Sequence, residues 1–461
     1  MISEKLLHGV QSAVLNRSLH DAVAKSVDRH SLPAAAALAP EQRGLFRARA
    51  RAARLDAVRS LPALCAQFIS TAEQRGIRIH TAQDGSEAAR IVAQIARECG
   101  ATRAVKSKSM ATEEIALNEQ LAQAGVTVLE TDLGEYIVQL AGERPSHIIA
   151  PCLHKSRKEI AELFSREAGR EIPEDTPSLS AFARGRLREE FRRADLGISG
   201  ANFLVAEDGS LVIISNEGNA RFSTTLPRVH VAVVGVEKLI RNYEAMQDAL
   251  RLLPVSSTGQ RITSYVSVVR GPAAPGEDGP EEVHVVLMDA GRSQILGGPY
   301  EEALLCIRCG ACLDICPVYR QTGGHAYQSV YSGPIGAVLT PLLRDDAEAK
   351  ALPFLSSLCG ACSDVCPVGI HLHEHLVALR ARAVAGGTAF TGEGAAFRGY
   401  RRAWAVPSRY LRLRSLMPGA LRLARAGGPL RLWLRGRTLP PVAKAPVAKR
   451  LRDEGLIEED D

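Results

Sequence analysis

Several features are missing from this 461-residue chain. It has no run of about 18 or more apolar residues, so no membrane-spanning helix is expected. Met1 to Asn16 mixes Glu4, Lys5 and His8 into a helical pattern without a long apolar core or a cleavage site, so no secretory leader is expected either. Serine, histidine and aspartate are plentiful, but none sits in a recognisable nucleophile elbow, which leaves hydrolase chemistry without a sequence signature. Acid is absent from Gly394 to Arg452, where fifteen Lys or Arg residues occur. The whole chain is only +6, so the remainder carries an excess of about nine acids.

What is present is an ordinary globular composition, 46% apolar and 23% charged, long enough for two or three domains. Ten cysteines occur, and seven fall in two motifs. Cys65, Cys99 and Cys152 stand singly among apolar neighbours and read as buried or inert thiols. Clustered cysteines without an export signal point to metal rather than disulfides, and to a cytoplasmic chain.

The first motif is Cys306-x2-Cys309-x2-Cys312-x3-Cys316-Pro317, the spacing that wraps thiolates around an iron–sulfur cube. The second, Cys359-x2-Cys362-x3-Cys366-Pro367, repeats its last three cysteines and the proline. In two-cluster ferredoxins the fourth cysteine of one run ligates the cluster of the other. That rule gives Cys306, Cys309, Cys312 and Cys366 to a first, [4Fe-4S] cluster, and Cys316, Cys359 and Cys362 to a second. By register the missing cysteine falls at Ser356. The second cluster is then [3Fe-4S], or [4Fe-4S] completed by Ser356, water or a partner. Zinc also favours Cys-x2-Cys pairs, but it wants four ligands as two separated pairs, which seven cysteines with crossed spacing fit badly. His371, His373 and His375 read as surface or cap residues near the second motif.

Residues 1–60 read as a helical N-terminal extension broken at Pro33 and Pro40, with one helix over Glu41 to Leu64. Residues 61–300 alternate strands and helices and predict an α/β domain with a parallel-rich sheet. Its strands are expected at 77–80, 103–106, 126–130, 147–150, 229–234 and 284–288, with a hairpin at 203–214. Helices are expected at 86–98, 112–124 and 236–252. Lys106 to Ser109, Gly197 to Asn202 and Asn216 to Asn219 lie at element ends, where such sheets bind ligands. Their glycines and lysines suit a carboxylate or phosphate, or simply turns.

Residues 301–385 carry both motifs. The 42 residues between Pro317 and Leu358 are too many for a hairpin, and with helices at 335–343, 353–358 and 373–385 they predict an α-helical ferredoxin domain. Residues 386–461 form a basic region with Tyr400, Trp404, Tyr410 and Trp433 interleaved, and basic amphipathic helices are expected at Leu411–Arg414 and Leu430–Leu434. The favoured reading is a basic strap against acidic protein surface. Peripheral contact with an anionic membrane is an alternative. Nucleic acid is not expected, because no recognition motif accompanies the charge.

With these residues in view, the sequence resembles the lactate utilization protein B family, iron–sulfur proteins of a bacterial L-lactate oxidation system. The likeness runs through Lys106 to Met110, Glu130 to Glu135, Glu143 to Pro151, Gly197 to Asn202 and Asn216 to Asn219, which look like a LUD domain. It continues through Gly323 to Tyr327 and Tyr331 to Ala337. The resemblance implies the same seven cysteine ligands and a complex with a cysteine-rich, heterodisulfide-reductase-like subunit and a second LUD protein. It also implies oxidation of L-lactate to pyruvate, which enables growth on lactate, with an unknown electron acceptor. Three functions compete: an electron-transfer subunit, a chain that itself oxidises a hydroxy acid at the LUD pocket near the second cluster, and a cluster-based redox regulator.

Overall fold

A computed structural model describes residues 4–386, 393–410, 412–413, 416 and 447–456. The chain divides into two compact units, Met1–Thr388 and Ala389–Asp461. The second unit contains the helices Glu393–Trp404 and Val447–Asp453, with Tyr400 stacked on Trp404 at 5.0 Å. The two basic helices expected at 411–414 and 430–434 lie wholly or partly outside the described residues.

The first unit is built on a sheet of six parallel strands: β1 (Arg78–Ala82), β2 (Arg103–Lys106), β3 (Thr127–Glu130), β4 (Leu196–Ser199), β7 (Val229–Gly235) and β10 (Glu282–Met288). Their order is β1-β10-β7-β4-β2-β3. Alternation along the strands separates two cores. Val229, Val231 and Val233 join Val286 and Met288 against the helix Gly85–Glu98, through its Ala88, Val92 and Ala96. Ala232, Val234, Val283, Val285 and Leu287 face the opposite core, shared with Leu64 and Phe68 of the helix Leu61–Glu73. β5 (Phe203–Val205), β6 (Ser210–Ser215), β8 (Leu239–Ile240) and β9 (Tyr265–Val269) make a smaller sheet in the order β8-β5-β6-β9.

Some expectations need correction. The helix Arg17–Ala36 runs through Pro33, and Arg43 donates to the carbonyls of Ala34 and Ala35 at its end. The expected single helix from Glu41 is two, Pro40–Arg59 and Leu61–Glu73, parted at Ser60. The helix expected at 112–124 breaks at Ala116, which is left-handed at φ 49°. The segment 236–252 begins as a short 3-10 turn and β8, and its helix starts only at Tyr243, where Asn242 caps it by accepting from Ala245 N. The segment 353–358 is helical only as a 3-10 turn over Leu352–Phe354. His147 to Ala150 is not a strand. The helices Leu133–Ala141, Arg157–Ala168 and Thr176–Arg193 and the strands β4 and β9 were not anticipated.

A candidate iron–sulfur centre and the cavity beside it

The two cysteine motifs fold alike. Each glycine, Gly310 at φ 81° and Gly360 at φ 84°, caps a four-residue helix, Ala311–Asp314 or Ala361–Asp364. Two residues earlier, Arg308 and Leu358 are also left-handed, at φ 60° and 56°. Non-glycine residues held there cost about 1–3 kcal/mol and collect at functional sites. In the first motif this turn aims a backbone N–H at sulfur, whereas in the second Leu358 N donates to Ser356 Oγ at 3.1 Å, and further N–H groups reach sulfur from beyond Cys316 and Cys366. Arg308 N lies 3.4 Å from Cys306 Sγ, Tyr319 N 3.5 Å from Cys316 Sγ, and Ile370 N 3.3 Å from Cys366 Sγ.

The thiols gather in two sets. Cys306, Cys309, Cys312 and Cys366 feel one another's charge, and so do Cys316, Cys359 and Cys362. Burial pushes Cys309, Cys312 and Cys366 up, and Cys362 up to about 11. Cys359 is exposed, and the N–H of Ala361 lowers it. Tyr327 lies near Cys312, Cys316 and Cys362 of both sets, with a buried hydroxyl that has no hydrogen-bond partner among the described residues. Soft thiolates, converging N–H groups and an orphan hydroxyl fit sulfide-containing clusters. Ser356 lines a cleft with Cys316, Cys359 and Cys362, beside Ser357 and His373. His373, expected as a surface or cap residue, lines this cleft while its Nδ1 pairs with Ser363 Oγ at 2.8 Å. His371 caps the helix Leu372–Ala385 as expected, but His375 is neither surface nor cap: it is buried within that helix, and both histidines face Glu302.

The three polar segments of the α/β domain converge on one cavity of about 330 Å³. Ser107, Lys108 and Ser109, then Gly200 to Asn202, then Asn216, Glu217 and Asn219 line it. Lys106 does not. It is buried in ion pairs with Glu113 and Glu130, both at 2.8 Å. Gly197 is part of β4 and packs under a carbonyl, since a Cβ there would lie 1.9 Å from Ser223 O. Burial, then the charge of Asp132, raises Glu217 to about 7.

The cavity is also lined by Arg308 and Tyr331 of the cysteine region, together with Glu237, Lys238 and Arg292 of the α/β domain. Arg308 stands between Cys306 and Cys309, so the cavity adjoins the first thiol set rather than the second. The guanidinium of Arg308 lies 4.8 Å over the Tyr331 ring, and its Nη2 is 3.3 Å from Glu237 Oε1. Arg292 Nε donates to Glu237 Oε2 at 2.6 Å, and its Nη2 to Glu114 Oε2 at 2.8 Å. Burial alone would raise Glu237, but Arg292, Lys238 and Arg308 outweigh it and hold the carboxyl at about 2. Nothing in the sequence singled out this wall, because Lys238, Arg292 and Arg308 lie in separate elements. The arginine inside the Cys-x2-Cys step was its one visible signal.

This architecture defines a class: an α/β domain whose cavity abuts a two-set cysteine centre. A family model described as the LUD domain matches residues 65–288, and one described as a 4Fe-4S dicluster domain matches residues 302–370. The chain belongs to the lactate utilization protein B family. It is 42% identical over 396 residues to "Lactate utilization protein B" of Shouchella clausii (strain KSM-K16), covering 84% of this chain and 82% of that protein. Its likeness to the Geobacillus kaustophilus (strain HTA426) protein of the same name is also 42%, over 84% and 83% of the two chains. A solved DUF162 family protein from Deinococcus radiodurans is 14% identical with a TM-score of 0.28, over 50% of this chain and 98% of that one, too distant to argue from.

Proposed function

We propose that this chain is an iron–sulfur electron-transfer subunit serving lactate utilization, within a complex that oxidises L-lactate to pyruvate. The observation that carries it is the pair of thiol sets inside a member of this family. In this reading Cys306, Cys309, Cys312 and Cys366 hold a [4Fe-4S] cluster. Cys316, Cys359 and Cys362 hold a [3Fe-4S] or [4Fe-4S] cluster with its open corner at Ser356. Such clusters supply one-electron chemistry. The chain's part is to hold them in a dry setting and direct N–H groups at their sulfurs, which tunes potential. The partners are a cysteine-rich heterodisulfide-reductase-like subunit and a second LUD protein. Protein purified without oxygen should carry iron and sulfide, with broad visible absorbance bleached by dithionite. Stoichiometric zinc without iron would sink the proposal.

A second reading is supported by the cavity beside the first thiol set, namely that this chain itself binds the acid to be oxidised. Reduction by lactate of the isolated chain, monitored by absorbance, separates the two. If only the complete complex responds, this chain carries electrons and another performs the chemistry.

A further inference from the structure

The wall next to Cys306 holds more positive charge than its carboxylates engage. Arg54 donates to the carbonyls of Leu239, Glu237 and Leu304 and is fully used. Arg292 is committed to Glu237 and Glu114. Both oxygens of Glu237 are already taken, Oε2 by Arg292 and Oε1 by Arg308. Two donors are left over. Lys238 lines the cavity with no hydrogen bond or ion pair among the described residues. The Arg308 side chain is 9% exposed, and its Nη1 is buried without a hydrogen-bond partner among the described residues.

A half-buried cation whose donors meet no acceptor loses part of its hydration without recompense. Two such donors on one wall are suited to an acceptor that the chain does not supply. Part of their charge answers the Cys306 thiolate, which both side chains feel. Yet both also line a cavity whose remaining surface mixes hydroxyls and amides, among them Ser107, Ser109, Asn202 and Ser215, with the carboxylates of Asp132 and Glu217 and apolar side chains such as Ile148, Ile213 and Leu253. At about 330 Å³ it stands near the low end of ligand pockets, roughly 300–1,000 Å³. A cavity of this size with two cations on one side and both polar and apolar lining suits a short organic anion better than a long apolar chain.

We infer that Lys238 and Arg308 form an oxyanion subsite at the cysteine end of the cavity, which takes the carboxylate of a short 2-hydroxy- or 2-oxo-acid. The serine and asparagine wall meets the acid's hydroxyl or carbonyl oxygen. The choice of acid rests on the lactate-utilization reading.

Calorimetry on the full-length, anaerobically reconstituted protein tests this with L-lactate, pyruvate and inorganic phosphate as titrants. The expected result is saturable binding of the two carboxylates. Lys238→Met should weaken it at least tenfold with iron content unchanged, and Lys238→Arg should retain most of it. No saturable carboxylate binding, equal affinity in Lys238→Met, or binding of phosphate alone overturns the proposal. Should Lys238→Met lose its iron, the wild type still decides. Lactate or pyruvate should protect Lys238 from a small amine-reactive reagent, read by peptide mass spectrometry, and absence of protection counts against the subsite. Iron-loaded protein that binds neither acid overturns the subsite alone, whereas protein that never holds iron overturns the electron-carrier reading.

Discussion

Cys316 and Cys366 follow their own motifs in sequence but sit with the thiols of the other motif. Single substitutions should therefore have crossed effects. Cys366→Ser should remove the same electron paramagnetic resonance signal as Cys306→Ser, and Cys316→Ser the same signal as Cys359→Ser. If each substitution removed the signal of its own motif, the crossed ligation would be wrong. Ser356→Cys places a thiol at the open corner of the second set. It should convert any three-iron signal in the oxidised protein into a signal seen only after reduction.

His230 gives a separate test at the same scale, away from the cysteines. It lies wholly buried in β7 with Nε2 2.7 Å from Ser199 Oγ, and burial, assisted by His284, lowers it to about 4. A histidine depressed in the folded state stays neutral while the unfolded chain takes up a proton. Its stabilising contribution is therefore complete above the unfolded pKa of about 6.5 and declines as pH falls towards 4. Between pH 6.5 and 5 the loss is about 2 kcal/mol, at 1.36 kcal/mol per pH unit. Urea midpoints across this range should fall for the wild type and flatten in His230→Asn. Parallel slopes for the two proteins would remove His230 as the cause.

At the scale of elements, the joint between the α/β domain and the cysteine region depends on close backbone packing. Tyr319 OH donates to Ser146 O at 2.7 Å, His147 Nε2 lies 3.3 Å from Asp314 Oδ1, and a Cβ on Gly324 would lie 1.7 Å from Ser146 O. Gly324→Ala must push residues 143–151 away from the first motif. A loss of about 3 kcal/mol is expected, at the upper end of overpacking costs, with lower iron retention, measured by urea unfolding and iron assay. Wild-type stability would show that the segment yields. The same joint explains what could be read from sequence. The cysteine spacing and the strands with β-branched runs, such as Val229 to Val234, were legible because local pattern determines them. His147 to Ala150 has a strand's composition, but its backbone turns to place His147 on Asp314, a contact 167 positions distant in sequence. β4, at Leu196 to Ser199, is too short to show alternation, and its Gly197 serves packing beneath Ser223 O. The cavity's three loops were visible as polar element ends, whereas its cationic wall exists only after distant segments meet.

At the scale of the whole first unit, one helix of the N-terminal extension holds the parts together. Besides Arg49 and Arg59, which pair with Asp248 and Glu301, Pro40–Arg59 sends three arginines to backbone carbonyls of the body. Arg47 donates to the carbonyls of Ser363 and Asp364, both at 2.8 Å, at the end of the second motif's helix. Arg51 reaches Gly369 O and Glu302. Arg54, 1% exposed, binds carbonyls on both sides, Glu237 and Leu239 of the α/β domain and Leu304 just before Cys306. The first residues thus bind the region that would hold the clusters, although they lie over 240 positions away from Cys306. Arginine suits this task because its fixed fork serves several carbonyls at once, which lysine cannot do. Arg54→Met fills similar space but leaves those carbonyls buried and unpaired, at about 1–3 kcal/mol each. The expected loss is about 3–5 kcal/mol in urea unfolding, together with reduced iron content and faster loss of visible absorbance on exposure to a chelator. Arg47→Ala, whose partners lie nearer the surface, should cost about 1 kcal/mol and act on the second cluster's signal first. If Arg54→Met kept full stability and iron, the N-terminal helices would be an independent attachment rather than part of the centre's support.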